Sequence, residues 1–381
     1  MRVAYFTDTF LPEINGVTNT LYQLSNYLCE NNIENIFFAP NYESECIPQI
    51  KSRVEKFRGI KPSMYPECVL SFPSYRLHKS KIESFAPDII HITTPLGIGH
   101  FGLRYAREYQ IPVVMSYHTN FDRYLKFYDL EFLEHMLWGY LKWFYEKADI
   151  VLCPSNDTML DLADRGFNKL GIWSRGIDAD KFSPKHKNPK LRATLGNEGE
   201  LLFLYVGRIA AEKNLDTLLE SIELVNMTHS GKAKFIFTGD GPYMETLKSK
   251  NIPNIIMTGQ KKGRELSEIY ASCDAFVFPS GTETFGNVLL EAMASGLPSL
   301  CVNSGGVLDF AKDNVNSLIC RCRDKTSIAE GIIKLIENEA LRKKLAGGGL
   351  LTANAKSWNL VFGGLIQNYI NVIVGSKKMA V

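Results

Sequence analysis

The sequence predicts an α/β protein of two doubly wound domains, each a parallel sheet covered by helices on both faces. Short, almost continuously apolar runs alternate with longer amphipathic stretches from end to end. The alternation pauses at a polar segment carrying Pro184 and Pro189, then restarts. The length, 381 residues, is also about two and a half times a ~150-residue domain.

In the first half, Val3–Phe6, Ile36–Ala39, Asp88–Ile92, Val113–Tyr117 and Ile150–Cys153 read as buried strands. Asn19–Glu30, Gly97–Glu108, Phe132–Glu146 and Asp157–Arg165 read as the helices between them. Arg175–Pro189 reads as a linker. In the second half the expected strands are Leu201–Val206, Lys234–Thr238, Asn254–Thr258, Ala275–Phe278 and Ser299–Val302. The expected helices there are Glu212–Val225, Tyr243–Ser249, Leu266–Ser272, Gly286–Ala294 and Ser327–Glu337. Gly347–Gly349 interrupts a further helical stretch and predicts a bend or hinge. Trp358–Val374 is a last amphipathic stretch.

Hydrophobic residues make up 45% of the chain and charged residues 22%, the mix of a soluble globular protein. With 43 Lys+Arg against 41 Asp+Glu the net charge is only +2, too small a basic excess for coating nucleic-acid phosphates. No nucleic-acid partner is expected. The eight cysteines are scattered, and the close pair Cys320 and Cys322 suits neither a zinc site nor an ordinary disulfide, so reduced thiols are expected. The first eight residues lead into no apolar secretory core, and no run of ~18 apolar residues occurs. A cytoplasmic protein is expected, free to touch the inner face of a membrane.

Two segments of the second half carry chemistry. Gly207-Arg208-Ile-Ala-Ala-Glu212-Lys213-Asn214 follows a buried strand directly. Gly207 permits a sharp turn, and Arg208 and Lys213 bring two cations to the carboxyl end of the sheet, where open α/β sheets bind ligands. Arginine grips phosphate oxygens bidentately and lysine acts as a point charge. Further on, Pro279-Ser-Gly-Thr-Glu283-Thr284-Phe285-Gly286-Asn287-Val288-Leu-Leu-Glu291 ends a strand and opens an apolar helix. Glu283 precedes the helix, whose N-terminus offers N–H groups and a positive dipole end to an anion. Glu291 falls among apolar neighbours, where a carboxylate needs a partner. The two glutamates would stand roughly 12 Å apart if the whole span were helical.

The spacing Glu283-x(7)-Glu291, with Gly-Arg208-x-x-x-Glu-Lys213-Asn upstream, resembles the retaining nucleotide-sugar glycosyltransferases of family 4. The first half agrees: Phe10-Leu-Pro12-Glu13-Ile-Asn15-Gly16-Val17 resembles that family's glycine turn, and Ser116-Tyr-His118-Thr119 its strand-end histidine. Ala148-Asp149, Pro154-Ser155, Arg175-Gly176-Ile-Asp178 and Phe182-x-Pro184 also fit, so the resemblance spans nearly the whole chain. Within that family, the segment from His118-Thr-Asn-Phe to Trp173-Ser-Arg-Gly-Ile-Asp most resembles bacterial GDP-mannose-dependent α-mannosyltransferases and sulfolipid-synthase-like enzymes.

The resemblance implies a GT-B fold, two Rossmann-like domains with a cleft between them. It implies an acceptor-side domain over residues 1–178, a donor-binding domain over 179–357, and a terminal helix, 358–381, packing back on the first. The implied activity is metal-independent, retaining transfer of a hexose from a UDP- or GDP-linked sugar to a lipid or glycan acceptor. Arg208 and Lys213 would hold the diphosphate, Glu291 the ribose hydroxyls, and Glu283 the hydroxyls of the transferred sugar. Backbone from Thr284 through Phe285, Gly286 and Asn287 to Val288 would lie near sugar and phosphate, Gly16 near the diphosphate, and His118 by the reacting sugar. Gln260 and Lys261 would face the base. A nucleotide-sugar 2-epimerase is the alternative reaction, and a donor-binding module without catalysis the non-enzymatic one.

Other signals read more plainly. Asp178-Ala-Asp180 falls in the linker, and no histidines have metal-ligand spacing, so no metal is expected. The first strand is followed by a single glycine rather than G-x-G-x-x-G, which argues against hydride transfer. His91 reads as a satisfied core histidine. Lys51 to Lys81 holds eight Lys/Arg against Glu55 and Glu67, and Phe121, Tyr124, Phe127 and Tyr128 lead to Trp138, Trp143, Phe144 and Tyr145. Each alone reads as a solvated loop or a packed helix. Together they suit an anionic membrane surface or lipid acceptor.

Overall fold

The computed structural model describes residues 1–13, 15–42, 50–60, 69–118 and 131–379. The chain forms two compact units, Met1–Arg175 with Trp358–Val381, and Gly176–Ser357.

Unit 1 is a seven-stranded parallel sheet in the order β3-β2-β1-β4-β5-β6-β7. Its strands are β1 (Arg2–Phe6), β2 (Glu34–Pro40), β3 (Arg53–Phe57), β4 (Ile89–Ile92), β5 (Val113–Ser116), β6 (Ile150–Cys153) and β7 (Leu170–Ile172). Side chains alternate across β1: Ala4 and Phe6 enter one core with Phe38, Ile90 and Phe101, while Val3 and Tyr5 enter the other with Phe37 and Leu21. The terminal helix Trp358–Met379 closes this second core with Phe362, Leu365 and Tyr369. His91 sits here as expected of a core histidine: its ring nitrogens meet the hydroxyls of Tyr369 and Ser116, and burial pushes its pKa down to about 3.

Unit 2 is a six-stranded parallel sheet in the order β10-β9-β8-β11-β12-β13. Its strands are β8 (Leu201–Val206), β9 (Ala233–Thr238), β10 (Ile255–Gly259), β11 (Ala275–Phe278), β12 (Ser299–Val302) and β13 (Ser317–Cys320). In both units strand order reverses beside the first strand, between β1 and β4 and between β8 and β11. Ligands of doubly wound sheets bind in the crevice outside such a point.

Several elements differ from expectation. β3, β7 and β13 all lie at sheet edges, where a strand needs no continuous apolar run, and β3 reads Arg-Val-Glu-Lys-Phe. The basic stretch expected as a loop therefore contains β3 and the helix Tyr75–Phe85. Its charge is also partly neutralised: Lys51 pairs with Glu30, Arg53 and Lys81 with Glu55, and Lys79 with Glu83 and Glu108. Lys61 and Glu67 of that stretch lie outside the described residues, as do Thr119, Phe121, Tyr124, Phe127, Tyr128, Cys46 and Cys68. The linker is built structure, with Phe182 buried edge-on against Tyr270 and Asp178 Oδ1 accepting from the amides of Asp180 and Lys181.

Gly347–Gly349 bends nothing: the helix Glu339–Asn354 runs through all three. A Cβ on Gly348 would stand 2.1 Å from the Val315 carbonyl oxygen, so the glycine is there for close approach. Among the described residues no helix is long and apolar enough to cross a membrane, and the six described cysteines are free thiols.

Candidate active site

The unit 2 crevice is assembled from loops that follow β8, β9, β11 and β12. The β8 loop begins at Gly207 and reaches Asn214, which adopts a left-handed conformation and donates from Nδ2 to the Pro279 carbonyl at 3.2 Å. Thr282 Oγ1 donates to the Glu212 carbonyl at 3.3 Å. These two bonds stitch the β8 loop to the β11 loop and bring Lys213 Nζ to 2.5 Å from Glu283 Oε1. Ser280 Oγ donates to the same carboxylate oxygen at 3.0 Å. Two residues assigned to neighbouring parts of one ligand are thus an ion pair.

Arg208 stands differently. Its backbone carbonyl accepts from the Tyr205 hydroxyl at 2.9 Å, while its exposed side chain has no ionic partner among the described residues. Arg208 therefore carries the uncompensated positive charge of the crevice. On the far side, the β12 loop supports the β11 loop from below: Gly306 N–H donates to the Glu283 carbonyl at 2.8 Å, and Ser304 Oγ to that of Gly281 at 2.9 Å.

The helix of the crevice spans Asn287–Ala294, shorter than the stretch between the two glutamates, so the 12 Å helical estimate does not apply to them. Gly286 is its N-cap, with φ 91° and no side-chain cap. A Cβ at Gly286 would meet Val307 Cγ1 at 2.4 Å, so any other residue is both strained and blocked. The first turn therefore presents its N–H groups and dipole without a carboxylate of its own. Thr284 is half-buried, Phe285 packs on Phe310 with ring centroids 5.0 Å apart, and Asn287 Oδ1 is buried with no hydrogen-bond partner among the described residues.

Glu291 lies one turn into this helix, half-buried. The Tyr270 hydroxyl donates to its Oε2 at 3.0 Å and to the Val288 carbonyl at 3.3 Å. Burial pushes the Glu291 carboxyl up to about 7, against the smaller opposing effects of Tyr270 and Lys181. Tyr270 was not legible as a site residue; its only trace is an apolar helical position. Gly239 was missed too: a Cβ there would stand 1.8 Å from the Gly207 carbonyl oxygen, so glycine is required where the β8 and β9 loops cross. Gln260 and Lys261 follow β10 at the sheet edge, with Lys261 Nζ 3.8 Å from Glu265.

Unit 1 holds the remaining candidates. Gly16 is the first residue of the helix Gly16–Glu30, whose N-terminus is closed by a capping box from Asn15 and Thr18. His118 follows β5, buried against Trp173, with Nδ1 2.7 Å from Nη2 of Arg175. An open cavity of about 610 Å³ on this unit, lined by Phe132, Trp138, Lys142, Arg165 and Phe167 among others, contains none of the expected site residues. Asp178 and Asp180 form a turn, and no group of acidic, histidine or cysteine side chains among the described residues is arranged to hold a metal.

Residues 14–181 match the family model described as Glycosyltransferase Family 4, and residues 187–349 the model described as Glycosyl transferases group 1. The chain is 29% identical over 379 residues to a GDP-mannose-dependent alpha-mannosyltransferase of Mycobacterium tuberculosis, spanning 97% of this chain and 96% of that protein. It is 35% identical over 324 residues to a sulfoquinovosyl transferase of Arabidopsis thaliana, spanning 82% of this chain and 62% of that one. Sucrose-phosphate synthase from Thermosynechococcus elongatus superposes with a TM-score of 0.78 at 17% identity, over 98% of this chain and 99% of that chain, a likeness of fold.

Proposed function

We propose that this chain, a hexosyltransferase belonging to the family 4, group 1 glycosyltransferases and sharing their GT-B fold, transfers its hexose with retention of configuration and without a metal, from a nucleoside-diphosphate sugar to a lipid or glycan hydroxyl. The observation that carries the reading is the unit 2 crevice, where an exposed arginine and a lysine stand by a helix N-terminus that has no cap of its own.

Breaking the bond between the sugar and the diphosphate builds positive charge on the sugar and negative charge on the leaving group. Groups already fixed around the leaving group stabilise that separation without reorganising. Arg208 and the first N–H groups of Asn287–Ala294 receive the diphosphate. Lys213 reaches it from the other side, with part of its charge offset by Glu283. Glu283 accepts from hydroxyls of the hexose, with backbone from Thr284 to Val288 alongside. Glu291, steadied by Tyr270, accepts from the ribose hydroxyls. Gln260 and Lys261 lie toward the base; for Gly16 and His118, in unit 1, the family resemblance implies roles at the diphosphate and at the reacting sugar. No metal is needed where an arginine, a lysine and a helix end neutralise the leaving group.

GDP-mannose is the first donor to test, because the Mycobacterium relative carries that donor in its name and matches nearly the full length; UDP-linked hexoses are the second. Within residues 56–77, exposed Ile60, Phe72 and Leu77 occur with exposed Lys56, Arg58 and Arg76, which supports an acceptor drawn from an anionic membrane surface. Thermal-shift screening against nucleotide sugars should raise Tm with the true donor by mass action. Product analysis with the same donor should then show an α-hexoside formed equally well in EDTA, and co-sedimentation with anionic vesicles at low salt. No shift with any donor, or a changed sugar nucleotide with no acceptor present, would sink the proposal; the latter outcome points to an epimerase.

A further inference from the structure

Arg175 is a buried guanidinium, only 4% exposed, that faces no carboxylate among the described residues. Its Nη1 donates to the carbonyls of Trp173 at 3.1 Å and Ser174 at 3.4 Å. Its Nη2 lies 2.7 Å from Nδ1 of His118. Arginine and histidine share the Trp173 indole, the guanidinium 5.4 Å from its centroid and the imidazole edge-on at 5.3 Å. The other nitrogen of His118, Nε2, is buried with no hydrogen-bond partner among the described residues.

A guanidinium has five N–H donors and no acceptor. The 2.7 Å contact therefore needs a lone pair on Nδ1, which puts the imidazole proton on Nε2. Protonating both nitrogens would set donor against donor and cation against cation in a buried place. Burial, the Arg175 charge and, more weakly, His91 hold His118 well below the usual histidine range. His91, on β4, is itself kept neutral by burial, and Arg175 remains a cation with its pKa lowered only to about 10. A buried N–H with no acceptor is costly, and no described residue supplies an acceptor at Nε2, which leaves a donor there for a bound molecule.

We propose that Arg175 is a positioning residue that fixes His118 as a neutral imidazole protonated on Nε2, so that His118 gives a substrate oxygen a hydrogen bond and never serves as a base. This rests on the reading of the chain as a hexosyltransferase with His118 beside the substrate. It is the inverse of a histidine backed by a carboxylate, whose Nδ1–H leaves Nε2 as the proton acceptor. The ring is turned from acceptor to donor at Nε2 by the sign of the charge behind it.

The test is the nitrogen NMR spectrum of the full chain labelled with ¹⁵N-histidine, His118 being assigned by its loss in His118→Gln. The expected spectrum shows the Nε2–H tautomer without titration from about pH 6 to pH 8, on either side of the ordinary histidine value. In Arg175→Met, where burial still disfavours the imidazolium, His118 should populate both neutral tautomers. The kcat should fall roughly 10–100-fold, the scale of loss when the partner orienting a metal-bound histidine is removed. Arg175→Lys, which keeps a cationic donor, should retain the tautomer. An Nδ1–H tautomer or an imidazolium in the wild-type spectrum overturns the proposal, as does an Arg175→Met spectrum identical to wild type. The wild-type spectrum decides even where Arg175→Met does not fold. It also decides where no nucleotide sugar is turned over, so a failed functional reading is told apart from a failed tautomer.

Discussion

The two units place residues of opposite charge at one topological position. In unit 1 the second residue after the first strand is Asp8; in unit 2 it is Arg208. Both lie where strand order reverses, beside the helix that follows the neighbouring strand. Asp8 is fully buried and reaches across to that helix, Gly97–Glu108, accepting from the amides of Ile98 at 2.8 Å and Gly99 at 3.4 Å and from Thr94 Oγ1 at 2.7 Å. The corresponding helix of unit 2, Asn287–Ala294, begins at a glycine with no side-chain cap, and Arg208 points to solvent. Unit 1 thus satisfies the helix end with its own carboxylate, and unit 2 leaves it without one, where the proposed reading puts an anion from outside. A shared topology does not give a shared site; the residue at this one position differs in charge and in whether it meets the helix.

The sharpest way to break this comparison is to alter Arg208. Arg208→Ala should lower kcat about 10²–10³-fold, the loss expected when one preorganised group at a developing charge is removed. Arg208→Asp, which copies unit 1, should abolish donor-induced thermal stabilisation altogether. Both variants should melt like wild type, since Arg208 is exposed and without an ionic partner among the described residues. Lys213→Ala should cost less than Arg208→Ala, because Glu283 already shares the ammonium. Equal losses in steady-state assays of the two alanine variants would remove the distinction drawn between these cations.

Asp8→Ala tests the other half of the comparison. It leaves the amides of Ile98 and Gly99 and the Thr94 hydroxyl without their acceptor inside unit 1. A loss of about 1–3 kcal/mol is expected in urea unfolding, with donor affinity measured by calorimetry unchanged. A large fall in donor affinity with unaltered stability would mean that Asp8 belongs to the ligand and not to the helix.

How much of this was legible in the sequence follows from what each feature needs. Interior strands such as β1, β8 and β11 need apolar residues on both faces, so the runs announced them; β3, β7 and β13 pair on one side only and carry no such run. Arg208, Lys213, Glu283 and Glu291 were legible because a short motif fixes them around one strand end and one helix start. The partner relations were not. Tyr270 lies 21 positions from Glu291, Arg175 57 from His118, and Asp8 90 from Ile98, so only the folded sheet brings each pair together. Asp8 in particular reads as one polar residue after a strand, and nothing local tells that it closes a helix.

The smallest effect sharpens the comparison through protonation. Asp8 and Glu291 are both carboxyls raised chiefly by burial, to about 6 and about 7. Asp8 is answered by backbone amides; Glu291 has one tyrosine and, in the proposed reading, the ribose of the donor. Because its pKa lies above the ordinary 4.5, Glu291 is mostly protonated at pH 6 and mostly ionised at pH 8. The carboxylate accepts at both oxygens, whereas protonation turns one of them into a donor. Donor binding should therefore weaken as pH falls through about 7, with Kd rising roughly tenfold between pH 8 and pH 6 as the ionised fraction drops. The phosphates of a sugar-linked diphosphate do not titrate over this range, so the slope belongs to the protein. Glu291→Gln should bind more weakly at pH 8 and show a flat profile. Tyr270→Phe removes the hydroxyl that favours the ionised form, so it should move the midpoint to higher pH while leaving Glu291 in place. A wild-type Kd that stays constant from pH 6 to pH 8 would show that Glu291 does not meet the donor as a titrating carboxylate.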